Sequence, residues 1–346
     1  MIVGIPRETK EGERRIALLP VAVQELTAAG HVTVVETHAA LGIGIGDDDY
    51  RDAGADIVTA RDAWDADLVV KVKEPQEADL RVMPKGATVF SFLHLTGEPE
   101  RVRALAQRGA TAIAFEMVRD KHGRFPLLAP MSDIAGRMAI DIGRKLLART
   151  PQRVLVLGAG HAGQEAAKAA RLAGSQVTIL ARTARGEIEE ATPEAIERHA
   201  LEADLVVAAA FVAGQASPKL LPRALVRRMK RGAVIVDVSI EEGGVAETSR
   251  RTTHAKPTFV EEGVVHYCVG NMPAARPAEA AAAISAAALP YVMDMAADGV
   301  ATALLANPEL REAVLLWQGH VVRPGIAAES GLPYTALTDS MLAESE

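Results

Sequence analysis

One cysteine, Cys268, stands in a chain of 346 residues, so no disulfide can close within it and no cysteine-based zinc cluster can be assembled. Aromatic side chains are scarce at 3 %, while hydrophobic residues reach 49 %. Such cores must be built from Val, Leu, Ile and Ala, the residues of strands buried on both faces of a parallel sheet. No charge sign dominates: 38 basic and 45 acidic residues are spread along the chain and leave a net charge of −7. That distribution offers no basic stripe to follow a phosphate backbone, and nucleic acid is not expected as a partner. Met1-Ile2-Val3-Gly4-Ile5-Pro6 runs straight into charged residues with no secretory apolar core, and no run reaches about 18 uninterrupted apolar residues. These absences predict no membrane partner and a reducing, cytoplasmic location. No metal ligand set is apparent and no repeat is visible; the alanine-rich Ala278–Ala288 reads as a tightly packed helix.

What is present is a repeated alternation of short β-branched runs with helical patterns. It starts at Ile2–Ile5, Val21–Ala29 and Val32–Glu36, and continues through Leu68–Val72, Arg101–Gly109 and Thr111–Phe115. A long helical pattern from about Met131 to Arg149 separates this series from a second, with strands at Val154–Leu157, Val177–Leu180, Leu205–Ala208, Val234–Val238 and Val264–Val269. From about Pro290 onward, Leu304-Leu305, Leu310 and Val314-Leu315-Leu316 return to a helical pattern that should pack on the first domain. The expected architecture is α/β: two Rossmann-like domains with parallel sheets, joined by long helices and enclosing a cleft. Residues 1–127 with 290–346 would form the substrate domain and 128–289 the dinucleotide-binding domain.

Gly158-Ala159-Gly160-His161-Ala162-Gly163 follows the apolar run Arg153–Leu157 and precedes a small-residue helical pattern, Glu165 to Arg171. A strand, a glycine turn and a helix in that order make a dinucleotide site. Gly158 permits the tight turn, Gly160 lets the backbone approach a pyrophosphate, and Gly163 lets helix pack against strand. The diphosphate then rests on the free N–H groups of the helix start.

Three early residues are candidates for substrate chemistry. Arg15 precedes an apolar run at the expected start of a helix and has the fork to hold a carboxylate, although arginines are mostly solvated. Lys71 and Lys73 alternate onto one face of a strand that Pro75 ends. Ligands of open α/β sheets gather at such carboxyl ends, where Lys73 can polarise a carbonyl or imine; pairing with Glu74 is the plainer alternative. His94 ends the apolar run Val89–Leu93, the position a proton-transfer group should occupy, or else is a satisfied core histidine. Glu241 lies in a polar turn after Val234–Val238, where a site carboxylate and a solvated acidic turn are equally good readings.

Taken together, Gly4-Ile5-Pro6, Lys71-Val72-Lys73-Glu74-Pro75, Phe92-Leu93-His94, Leu127–Ser132, the glycine turn, Tyr267-Cys268-Val269 and Asn271-Met272-Pro273 resemble the alanine dehydrogenase and transhydrogenase family. The resemblance runs through most of the chain. It implies that Arg15 and Lys73 grip the carboxylate and carbonyl region of an amino or 2-oxo acid, and that His94 is the acid/base. Ser132, Gly158, Gly160, His161, Ala162, Gly163 and Asn271 would line a nicotinamide cofactor. It further implies reversible oxidative deamination of alanine or a close analogue, and assembly into a homo-oligomer. The transhydrogenase branch typically lacks the histidine and the second lysine, which are present here; a transhydrogenase-like or regulatory nucleotide-binding module is the alternative. Two departures bear on the site. Ala181, followed by Arg182, Thr183 and Arg185, stands where the family has an acid that holds the ribose hydroxyls and repels a 2′-phosphate, an exchange that favours NADP over NAD. Glu241 replaces the family's aspartate, keeping the charge on a longer arm as a water-activating group.

Overall fold

The computed structural model describes residues 1–210 and 216–344. It divides into two compact units, Met1–Pro130 with Arg276–Glu346, and Met131–Ala275. Chain positions 276–289 therefore fall in the first unit.

The first unit holds β1 (Ile2–Ile5), β2 (Val32–Glu36), β3 (Asp56–Val58), β4 (Leu68–Lys73), β5 (Thr88–Phe92) and β6 (Thr111–Ala114). The second holds β7 (Arg153–Leu157), β8 (Gln176–Ala181), β9 (Ile188–Glu190), β10 (Leu205–Ala208), β11 (Val234–Asp237), β12 (Thr258–Glu261) and β13 (Val264–Tyr267). β14 (Val314–Trp317) and β15 (His320–Val321) return to the first. Its sheet runs β15-β14-β6-β5-β4-β1-β2-β3, with β6 to β3 parallel and the two C-terminal strands antiparallel. The other sheet runs β12-β13-β11-β10-β7-β8-β9, with only β12 antiparallel.

Both sheets are doubly wound. Strand order reverses between β1 and β4 in one unit and between β7 and β10 in the other, and open sheets of this kind bind ligands beyond the carboxyl ends at the reversal. The strands next to each reversal are buried along nearly their whole length: β4 at every position, β7 from its second residue. In the first unit, Val69, Val89, Ala112 and Leu316 pack with Trp64, Val102 and Leu105; in the second, Leu155, Val206 and Ile235 pack with Ile196, Ala200 and Val226.

Several expected elements agree closely with the structure, including Ile2–Ile5, Val32–Glu36 and Leu205–Ala208. The helical reading of Val314-Leu315-Leu316 is corrected. These residues form β14, at most 4 % exposed, beside β6. A four-residue apolar run has no period that separates a strand from a buried helix segment. Arg15 does not begin a helix either. The first helix starts at Pro20, whose fixed φ suits the first helical position.

Among the described residues one helix, Pro277–Asp298, is long and apolar enough to cross a membrane by length and composition. In the first unit it presents Ala280, Ala281, Ile284 and Ala288 as buried residues, and its Ser285 hydroxyl accepts the Leu19 N–H at 2.9 Å. That hydrogen bond and the buried alanine face are those of a core helix.

Candidate functional site

In the first unit, two of the expected groups lie at neighbouring strand ends. Lys73 closes β4 directly opposite Phe92, the last residue of β5. Its Nζ stands 5.9 Å from the Phe92 ring centroid, and the side chain is buried. The His94 imidazole stacks on the same ring, with 5.9 Å between centroids and 8° between planes. His94 is exposed and its φ is 44°, in the left-handed region a non-glycine residue rarely adopts.

Two carboxylates hold these strand ends. Glu116 accepts the N–H groups of Leu93 and His94 at 3.1 and 2.8 Å, and Glu8 accepts those of Val72 and Lys73 at 2.6 and 3.2 Å. Burial pushes the Glu8 carboxyl up, Lys71 opposes that shift, and Glu13 adds to it. Lys71 has its own work. Its buried Nζ lies 3.4 Å from Glu8 and 3.6 Å from Asp79, and it donates to the Arg7 carbonyl at 3.2 Å. Glu74 is paired with Lys10 at 2.5 Å.

Arg15 is 2 % exposed, and its Nε and one terminal nitrogen bind the two oxygens of Glu13 at 2.7 and 2.5 Å. This paired geometry fixes the guanidinium plane and lets a buried charge persist.

In the second unit the glycine turn is built for three tasks. Gly158 has φ 109°, and a Cβ there would stand 2.3 Å from the Ala209 carbonyl oxygen. A Cβ on Gly163 would stand 1.9 Å from the Gly158 carbonyl oxygen, so only glycine lets the helix His161–Leu172 start against β7. At Gly160 a Cβ would meet nothing within 4 Å, leaving open space where a pyrophosphate approaches. Gly160 also caps the helix without a side chain, so first-turn N–H groups remain for an anion. These features fit a bound dinucleotide.

Around that turn, Ala162 supplies the carbonyl against which Gly136 packs, a Cβ there standing 2.2 Å away. His161 Nδ1 lies 3.2 Å from Asp133 Oδ1, and Ser132 precedes that aspartate in the helix Ala129–Leu147. Ala181 ends β8, and Arg182, Thr183 and Arg185 follow it as exposed residues. Asn271 follows β13 with φ 54° and its carbonyl accepts the Ala274 N–H. Glu241 is exposed in the single turn after β11, 3.4 Å from Arg251. Its neighbour Glu242 is half-buried, and burial followed by the Glu241 charge pushes its carboxyl up to about 7. Asp237, at the end of β11, takes the Val245 N–H and the Ser249 hydroxyl on one oxygen, and burial raises it. Among the described residues no group of three His, Cys, Asp or Glu is placed to hold a metal.

Glu8, Glu116 and Asp133 were not anticipated. Their roles follow from through-space contacts between segments 22 to 65 residues apart, as Glu116 with His94 and Glu8 with Lys73, or from burial, and neither has a local sequence signal.

Residues 4–135 match the family model for the alanine dehydrogenase/PNT N-terminal domain, and residues 140–324 match the one for its C-terminal domain. The alanine dehydrogenase of Staphylococcus haemolyticus is 38 % identical over 99 % of both chains. A solved L-alanine dehydrogenase superposes with a TM-score of 0.89 at 38 % identity, covering 95 % of this chain and 99 % of that one. A transhydrogenase from Sinorhizobium meliloti gives 0.81 at 27 % identity, covering 94 % and 99 %.

Proposed function

Since the chain belongs to the alanine dehydrogenase/PNT family, we propose that it catalyses reversible oxidative deamination of L-alanine, or a close analogue, to the 2-oxo acid and ammonia. The observation that carries this reading is Lys73 and His94 placed together against Phe92 at adjacent strand ends. A module that only bound nucleotide has no use for such a pair.

A nicotinamide dinucleotide bound at the glycine turn supplies the hydride acceptor for deamination and the donor for the reverse. The chain's own groups do the rest. Arg15, its plane held by Glu13, binds the substrate carboxylate, and Lys73 binds the oxygen or nitrogen on the reacting carbon. His94 takes the proton from water adding to that carbon and returns it to the departing ammonia. Glu241 is the second candidate for activating that water.

On the coenzyme side, Ser132, Gly158, Gly160, His161, Ala162, Gly163 and Asn271 are the contacts of this reading. With Ala181 in place of an acid and Arg182, Thr183 and Arg185 beside it, the binding of a 2′-phosphate is favoured, which supports NADP over NAD. Met1–Pro130 with Arg276–Glu346 carry the substrate groups and Met131–Ala275 the coenzyme groups. The working protein is a cytoplasmic, closed homo-oligomer.

A matrix of 2-oxo acids against NADPH and NADH, with and without ammonium, tests the reading. Ammonium-dependent oxidation of NADPH with pyruvate or a near relative is expected. Coenzyme binding without such turnover across the matrix would overturn it in favour of a transhydrogenase-like or regulatory module.

A further inference from the structure

We propose that Glu8 and Glu116 are a matched pair of positioning residues, each holding the end of an inner strand so that Lys73 and His94 stay in place against Phe92. The inference rests on the roles given to Lys73 and His94 above.

Each backbone N–H at these buried strand ends needs an acceptor. β4 and β5 are flanked by β1 on one side and β6 on the other. The β1–β4 register stops at Gly4 with Val69, and the β4–β5 register is irregular between Val70 and Lys73. The N–H groups of Val72 and Lys73 thus lie at this irregularity, past the last β1 partner, and Glu8, three residues beyond β1, takes both. The other side repeats the device. The β5–β6 register stops at Ser91 with Ala114, and Glu116, two residues beyond Ala114, takes the N–H groups of Leu93 and His94.

Each flanking strand therefore sends a carboxylate inward across the end of its neighbour, with one oxygen for each of two successive N–H groups. Bonds to an ionised acceptor are shorter and stronger than neutral ones. On the Glu116 side they hold a residue at φ 44°, a backbone state that persists only when its surroundings enforce it. The stack on Phe92 then fixes the ring whose backbone Glu116 has fixed. A glutamine in either place keeps the shape, but it turns one acceptor into a donor facing an N–H.

The test uses the full-length enzyme assayed with 2-oxo acid, ammonium and reduced coenzyme. Glu116→Gln is expected to lower kcat by about tenfold or more with the 2-oxo acid KM within about twofold, as misplacement of a proton-transfer group does. Glu8→Gln is expected to raise that KM by about fivefold or more, through Lys73. Fluorescence titration should find coenzyme affinity unchanged in both, because those contacts lie in the other unit. Should Glu116→Gln not fold, Glu116→Asp, which keeps the charge on a shorter arm, is expected to give a kcat below native.

A kcat within about twofold of native in the folded Glu116 variant would overturn the proposal, and so would a parallel fall in coenzyme affinity and turnover, the mark of general loosening. His94→Ala separates the two levels. If it retains turnover, the role given to His94 falls as well; if it is inactive while Glu116→Gln is native, only the positioning role falls.

Discussion

His94 and Phe92 lie ring on ring, nearly parallel, on a backbone that turns left-handed at the histidine. The imidazole, exposed beyond a strand end, turns one face to Phe92. His94→Ala should therefore remove turnover by about a hundredfold or more, the scale of a lost general acid/base, while dinucleotide affinity stays native. Steady-state kinetics with a coenzyme titration on the same preparation checks both halves.

The preference proposed for NADP rests on Ala181 and the arginines after it. Ala181→Asp restores an acid at the end of β8, where it binds ribose hydroxyls and repels a 2′-phosphate. The ratio of kcat/KM for NADPH to that for NADH is expected to fall by about tenfold or more, and Arg182→Ala with Arg185→Ala should move it the same way. An unchanged ratio would remove those side chains from the coenzyme site.

The contact between Gly163 and Gly158 is backbone on backbone, so no side chain can give way. Gly163→Ala is expected to cost about 2 kcal/mol or more of stability and to weaken dinucleotide binding, since the helix start must shift. Gly160→Ala meets open space in the free protein and should leave the melting temperature near native, yet weaken coenzyme binding if a pyrophosphate takes that space as proposed. Melting curves with and without coenzyme distinguish the two.

Glu242 makes stability depend on pH. Its carboxyl is raised from an ordinary 4.5 to about 7, so between those values the folded protein holds more protons than the unfolded chain. Stability is therefore lost as pH rises through that window. Glu242→Gln should remove this slope and leave the variant more stable than native at pH 8 by about 1 to 2 kcal/mol, after allowance for its partial exposure. Denaturant midpoints at pH 5 and pH 8 measure the difference.

The sequence made the fold class and the glycine turn readable because both are local. Strand, turn and helix follow one another at Arg153–Leu172, and period-2 and period-3.6 patterns alternate around them. The ends of β4 and β5 were equally plain, with Lys73 and His94 at their tips. What stayed hidden depends on partners distant in the chain. Val314–Trp317 is a strand because β6, about 200 residues earlier, lies beside it. The grips of Glu8 and Glu116 arise from sheet order, which no window of sequence contains.

The strand order of the first sheet also decides when it can be finished on the ribosome. β14, laid against β6, is synthesised after the entire second unit, whose seven strands come from one continuous stretch of chain. The middle of the nascent polypeptide can thus reach its native sheet while the leading portion still shows the open edge of β6. That edge, Thr111–Ala114, is fully buried in the finished molecule. Translation stalled before residue 314 leaves it bare, a ready template for joining another chain and a natural binding point for chaperones.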